Sequence, residues 1–314
     1  MEHYVTLFDS LFLPQGISLH MSMERHIQNY TLWILCVDDD TYDVLTKLHL
    51  KNVKLLQLCK LEIEEMLKVK SQRTTGEYCW TLTPFAPRFV LEADKTIKQV
   101  TYLDADLWFR KNPKPILDEF EASTKDVLIT EHAYAPEYDM SQSSGKYCVQ
   151  FMTFKRRKGG EFVRKWWEER CIDWCYARYE QGKFGDQKYL DDWPNRFHDF
   201  VHVLVNKDLA LAPWNATRFP YSNAVFWHFH GYRISKIFGI HLAIFGAFPT
   251  PKIVFDNVYK NYSKDLRVAI SMLFDVGYTA RNQFKFSIVN ILRIAIAPML
   301  TRIFSYKIFN FEKY

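Results

Sequence analysis

Gln99-Val100-Thr101-Tyr102-Leu103-Asp104-Ala105-Asp106-Leu107-Trp108-Phe109 is the stretch on which the fold turns. Residues of buried-strand character, Gln99 to Leu103, run into two carboxylates and then directly into another apolar run. Open α/β sheets bind ligands in the crevice beyond the carboxyl ends of their strands, so this position predicts a site. Side chains alternate across an extended chain, which predicts that Asp104 and Asp106 project to one side while Ala105 points away. An isolated Asp-x-Asp is often only a cap or a turn. Here the apolar flanks make it an acidic island, where burying two like charges is costly and a cation is the natural partner. Hard divalent ions such as Mn²⁺ and Mg²⁺ take oxygen ligands and keep positions open for phosphate oxygens.

Around this stretch, β-branched and aromatic runs alternate with helix-length amphipathic segments, the signature of an α/β fold with a largely parallel sheet. Tyr4 to Phe8 reads as a first strand ending at Asp9, followed by a Pro14-Gln15-Gly16 turn and a helix from Ile17 to His26. Leu32 to Val37 reads as a second strand ending in Asp38-Asp39-Asp40, with a helix over Tyr42 to Leu48 and a strand over Val53 to Leu58. One helix is predicted over Glu77 to Glu92, kinked or delayed by Pro84 and Pro87. Downstream, Val127 to Thr130, Cys148 to Phe154, Val201 to Val205 and Val225 to Phe229 read as strands, and Glu161 to Tyr179 as a helix. Residues 1–255 are expected to form one catalytic domain and 256–314 a C-terminal extension.

Two further clusters carry chemistry. In Phe226-Trp227-His228-Phe229-His230-Gly231-Tyr232-Arg233, a period of two puts His228 and His230 on one face. Either offers an imidazole nitrogen to a metal, and Gly231 lets the backbone approach a phosphate. Asp186-Gln187 follows Gly185, so Asp186 reads either as a helix N-cap or, with Gln187, as a polar pair turned toward a sugar. Asp191 and Asp192 read as surface charges of a helix.

The chain's 314 residues, 48% apolar, are enough for one large core or two modest ones, which excludes disorder and fibrous folds. The formal net charge of +5 is matched by the last 34 residues, from Arg281 on, which hold six basic residues against one acidic. A nucleic-acid footprint is not expected. Instead Phe284 to Phe304 reads as amphipathic, either docked on the core or, with 281–314, lying on an anionic membrane surface. Its longest apolar run, Ile294 to Leu300, is interrupted by Pro298 and too short to span a bilayer. Six cysteines without a Cys-x-x-Cys pair, and an N-terminus without a basic leader pattern, predict reduced thiols in a cytoplasmic protein.

In their order and spacing the three clusters resemble the metal-dependent glycosyltransferases of the GT-A fold, and most of all family 8. That resemblance implies a Rossmann-like, nucleotide-diphospho-sugar-binding α/β domain with a mostly parallel central sheet. Val100 to Leu107 resembles the family strand that ends in Asp-x-Asp, which implies that Asp104 and Asp106 hold Mn²⁺ or Mg²⁺ and that Asp104 meets the nucleotide diphosphate. His228-Phe229-His230-Gly231 resembles the family's His-x-x-Gly and implies His228, rather than His230, as the third metal ligand. Asp186-Gln187 resembles the Asp-Gln pair near the anomeric carbon, which implies catalytic roles for both. Val5-Thr6-Leu7-Phe8-Asp9 resembles the strand that cradles base and ribose, implying donor contacts for Thr6, Phe8 and Asp9. Where the family usually has a phosphate-binding Lys this chain has Ile234, with Arg233 beside it and Lys236 beyond, so Arg233 and Gly231 are the candidates.

Two further departures stand out. A family Arg before the Asp-x-Asp strand is replaced by Trp80-Thr81-Leu82-Thr83-Pro84, leaving Arg88 as a substitute, and Cys148-Val149-Gln150 stands where the family has Asn-Ser-Gly. The resemblance spans about residues 3–235 and implies hexosyl transfer, with retention, from a nucleotide sugar to a glycan or glycolipid hydroxyl. A bacterial surface polysaccharide is the expected product (lipopolysaccharide, O-antigen or capsule), made at the cytoplasmic face of the inner membrane. Two alternatives compete. A haloacid-dehalogenase-like phosphatase is matched superficially by Asp104-x-Asp106 and Gly185-Asp186 with Asp191, but has Trp108 at a position that class fills with Thr or Val. A degenerate sugar-nucleotide-binding protein would not need both aspartates, both histidines and the Asp-Gln pair.

Overall fold

The computed structural model describes residues 1–237, 239–246 and 248–284, together with the backbone of 307–310. The readings of 284–304 as amphipathic and of 281–314 as membrane-facing fall almost wholly outside the described residues.

Val5 and Leu7 of β1 (Glu2–Phe8) share one face of the sheet with Trp33 and Leu35 of β2 (Tyr30–Cys36). Tyr4 and Phe8 share the other with Leu32, Ile34 and Cys36. Strands apolar on both faces need helices on both sides. Thr75–Leu82 and Phe85–Ala93 cover the first face through Tyr78, Leu82, Phe85 and Phe89. Leu13–His26, Asp39–Leu48 and Lys260–Asp275 cover the second through Leu13, Ile17, Val44 and Leu273.

Among the described residues seven strands form the central sheet, in the order β3 (Val53–Gln57), β2, β1, β4 (Gln99–Leu103), β7 (Tyr147–Lys155), β6 (Val127–Glu131) and β8 (Val201–Val203). Pairing is parallel from β3 to β4 and between β6 and β8, while β7 runs antiparallel to both of its neighbours. A small sheet of β5 (Leu107–Phe109), β10 (Phe226–His228) and β9 (Ala210–Leu211) follows the carboxylates. A third joins β11 (Arg233–Ile237), β12 (Ile240–Phe245) and β13 (Lys307–Asn310).

Three predicted elements need correction. Pro14-Gln15-Gly16 is not a turn but the beginning of the helix Leu13–His26, where a first-turn proline loses no hydrogen bond. Gly16 is required there by packing, because a Cβ would come 2.3 Å from the Phe8 ring. The single helix over Glu77 to Glu92 is two, broken at Thr83-Pro84, because a proline in the interior disrupts the helical hydrogen-bond ladder. Thr74 and Glu77 form a capping box that sets the start of the first. The helix over Glu161 to Tyr179 is instead Lys158–Asp173, ending where Trp174 turns extended.

Beyond residue 255 the chain remains packed on the rest. Tyr262 stacks on Phe229 with ring centroids 3.6 Å apart. Asp265 accepts from Trp108 Nε1 at 2.6 Å and pairs with Arg25 of the helix Leu13–His26. All six cysteines are free thiols. No helix among the described residues is long and apolar enough to cross a membrane.

Candidate metal and donor site

β4 stops at Leu103, and Asp104-Ala105-Asp106 is a turn rather than strand, closed by Leu107 N donating to Asp104 O at 3.1 Å. The two carboxylates therefore meet through a turn, not through strand alternation. β5 then pairs antiparallel with β10, setting His228 opposite Leu107, and Phe229 N donates to Asp106 O at 2.9 Å. His228 Nε2 comes 3.1 Å from Asp106 Oδ1 and 3.6 Å from Asp104 Oδ2. One donor atom from each of the three residues lies within 4.8 Å of the others. Tyr102 OH donates to Asp104 Oδ1 at 2.9 Å, leaving Oδ2 toward the cluster.

Burial raises the Asp104 carboxyl and Asp106 beside it adds to the effect, against the pull of His228, leaving it at about 6. Asp106 is buried too, but the charge and hydrogen bond of His228 hold its carboxyl well below the usual range. Burial opposes charge on His228, yet Asp106 overcomes it and keeps the ring protonated well above its ordinary pKa. Crowded buried carboxylates that recruit an imidazolium fit a divalent cation, for which the cluster offers carboxylate oxygens and one imidazole nitrogen.

Of the two histidines, His228 joins the carboxylates, while His230 is exposed and stands edge-on to Trp214. Gly231 takes the left-handed φ of +74° that lets the chain turn back after β10. Arg233 lies over the Phe12 ring at 4.9 Å, and its charge helps to lower Asp106; Ile234 is buried in the core. Asp186 caps no helix: it is buried, with Oδ2 unpartnered, and burial together with the nearby Asp104 pushes its carboxyl up to about 8. Gln187 Nε2 donates to Ser144 O at 2.6 Å, facing the segment between β6 and β7. Thr6 is buried within β1 with its hydroxyl unpartnered, Phe8 closes over Gly16, and Asp9 accepts from Leu11 N at 3.1 Å. Burial and the neighbouring Asp38 raise the Asp9 carboxyl.

No protein-family model matches the chain. The Bacillus subtilis (strain 168) protein YfnF is 32% identical over 252 residues, covering 74% of this chain and 82% of YfnF. The chain belongs to the YfnF family. YfnD of the same strain is 27% identical over 246 residues, covering 74% of this chain and 78% of YfnD; both relatives are uncharacterised. Among solved structures, the galactosyltransferase LgtC with donor and acceptor sugar analogs superposes with a TM-score of 0.54 at 11% identity, covering 85% of this chain and 95% of LgtC. The glycosyltransferase GlyE of Streptococcus pneumoniae TIGR4 gives a TM-score of 0.51 at 16% identity, covering 91% of this chain and 66% of GlyE. The fold of this YfnF-family chain is thus GT-A, as expected from the sequence.

The structure adds residues that sequence reasoning left without a role. Gln150, noted only as a departure, accepts from His228 Nδ1 at 2.9 Å. Trp214 stands edge-on to His228, with centroids 5.4 Å apart. Arg88 is no substitute for the missing arginine, because it pairs with Glu92 and Glu168. Asp191 is held by Lys146 N and Lys188, and Asp192 by Arg196. Neither joins the carboxylate cluster, so the phosphatase pattern dissolves.

Proposed function

We propose that this protein is a metal-dependent glycosyltransferase, moving a sugar from a nucleotide-diphosphate donor to a hydroxyl of a glycan or glycolipid acceptor. The observation that carries this reading is the convergence of Asp104, Asp106 and His228 just beyond β4 of a GT-A sheet. A Mn²⁺ or Mg²⁺ ion held by these three residues would supply Lewis-acid stabilisation of the negative charge gathering on the diphosphate. Tyr102 fixes Asp104 and Gln150 fixes the His228 ring, so two of the three donors are positioned in advance. Arg233 adds charge-assisted bonds to the departing phosphate, and Gly231 lets backbone approach it. Thr6, Phe8 and Asp9 line the base and ribose end.

Asp186 and Gln187 orient the donor sugar. Burial and the nearby Asp104 push the Asp186 carboxyl up to about 8 in the metal-free protein, and its unpartnered Oδ2 is free to meet a sugar hydroxyl. Retention of anomeric configuration, hexose as the sugar and a bacterial surface polysaccharide as the product extend the proposal on family likeness. Peripheral attachment to an anionic membrane extends it on the basic residues from Arg281 on.

The test is thermal stability of the purified chain with Mn²⁺ and a panel of nucleoside diphosphates and nucleotide sugars, repeated with Asp106→Ala. A metal-dependent upward shift with one nucleotide, lost in the variant, is the expected result, since a ligand that binds only the folded state stabilises it. No shift with any nucleotide would sink the proposal.

A further inference from the structure

Gln15 is fully buried near the start of the helix Leu13–His26. A buried primary amide needs hydrogen-bond partners, and those of Gln15 come from 268 residues away. Gln15 Nε2 donates to Gln283 Oε1 at 2.8 Å, and Gln283 Nε2 donates back to Gln15 Oε1 at 2.9 Å. The remaining capacity of the Gln283 amide goes to two other segments. Its Nε2 donates to Leu11 O at 2.7 Å and its Oε1 accepts from Ile234 N at 2.9 Å. Both donor hydrogens and both acceptor lone pairs are thus used.

The main chain around Gln283 reinforces the link. Gln283 N donates to Ile234 O at 2.9 Å, and Asn282 Oδ1 accepts from Lys236 N at 2.7 Å. Ser235 Oγ donates to Phe284 O at 2.8 Å, and Arg281 pairs with Asp40 at the start of the helix Asp39–Leu48. Residues 281–284 therefore strap β11 to the turn after β1. On one side of the strap are Asp9 and Phe12, on the other Gly231 and Arg233, and the Arg233 guanidinium rests on the Phe12 ring.

We infer that Gln283 is a positioning residue for the nucleotide-diphosphate donor: it fixes the separation between the Asp9–Phe12 turn and the Gly231–Arg233 segment before the donor arrives. The inference rests on the glycosyltransferase reading for the identity of the ligand. Affinity gained this way comes from ordering that the donor no longer has to impose. The metal ligands stand outside the strap, supported by Tyr102 and Gln150, so Gln283 should act on the donor and not on the ion.

Two variants test this. Gln283→Leu removes the strap amide but leaves Gln15 buried without partners; Gln15→Leu combined with Gln283→Leu also removes that orphan and keeps the site filled. Calorimetric titration of Mn²⁺ alone, and of a nucleoside diphosphate at saturating Mn²⁺, is made on both variants and on the wild type. The expected result for the double variant is wild-type Mn²⁺ affinity with nucleoside diphosphate weakened roughly tenfold, and with the nucleotide sugar a KM raised more than kcat is lowered. Unchanged nucleoside diphosphate affinity in the double variant overturns the inference. So does an equal weakening of Mn²⁺ and nucleotide, which marks a merely structural role. A wild type that binds Mn²⁺ but no nucleoside diphosphate removes the glycosyltransferase reading itself, and the inference with it.

Discussion

Gln150 Oε1 lies 2.9 Å from His228 Nδ1, which turns the other ring nitrogen of His228 toward Asp106, 3.1 Å away. The amide oxygen holds a proton on Nδ1 and so reserves Nε2 for the carboxylate cluster. Gln150→Leu is expected to lower Mn²⁺ affinity roughly 10–100-fold, the usual loss when the partner of a ligating histidine is removed. Titration of Mn²⁺ with circular dichroism as a check of folding measures it. Wild-type affinity in a folded variant would show that the ring needs no such support.

Gly231 follows β10 with φ of +74°, and a Cβ there would meet nothing within 4 Å. Gly231→Ala therefore carries a backbone cost alone, about 1–2 kcal/mol for an L-residue in the left-handed region. Gly231→Asn should recover part of it, because Asn tolerates that region better. Urea unfolding of the two variants gives the comparison, and equal stability would rule out strain as the reason for glycine.

Asp265 joins Trp108 and Arg25 across three elements. Asp265→Ala leaves the buried indole N–H unpaired and Arg25 without its carboxylate. A loss of about 2–3 kcal/mol is expected, toward the upper range for hydrogen bonds to a charged group. Asp265→Asn, which keeps an acceptor for Trp108, should lose less. Denaturant melts of both variants decide it.

His132 is buried, stacked on Tyr134 and edge-on to Trp214, with Nδ1 unpartnered. Burial pushes its pKa down to about 3, so the ring stays neutral in the fold while the unfolded chain takes up a proton near the ordinary histidine value of about 6.5. A base whose folded pKa is depressed contributes full stability above its unfolded pKa and loses it as pH falls toward the folded value. The metal-free protein should thus weaken progressively from about pH 6.5 toward pH 3. His132→Phe should flatten that limb of the stability curve; an unchanged slope would mean that other groups set it.

The strands and the three residues of the candidate metal cluster were legible in the sequence because each depends on a short local pattern. Gln99 to Leu103 is a strand with those bounds, and Asp104, Asp106 and His228 converge as their motifs implied. What escaped depends on contacts between distant segments. The role of Gln150 needs β7 inserted beside β4, and its partner lies 78 residues on. Pro14-Gln15-Gly16 carries the composition of a turn, but proline suits the first turn of a helix, and the need for glycine at position 16 comes from the Phe8 ring above it. Asp186 reads from the sequence either as a cap or as half of a polar pair with Gln187, because caps and buried carboxylates share the same residue; burial removes the cap reading.

The stacking of Tyr262 on Phe229 has a practical consequence for grafting. Phe229 directly follows His228 of the candidate metal cradle, so the strand end that carries this residue has as its backing wall a helix that comes more than thirty residues later in the chain. A chimera that exchanges C-terminal segments between relatives at residue 255 would import a mismatched wall along with the new tail. A junction placed after Phe284 would leave that helix in place and, among the described residues, exchange only β13, the strand paired with β12.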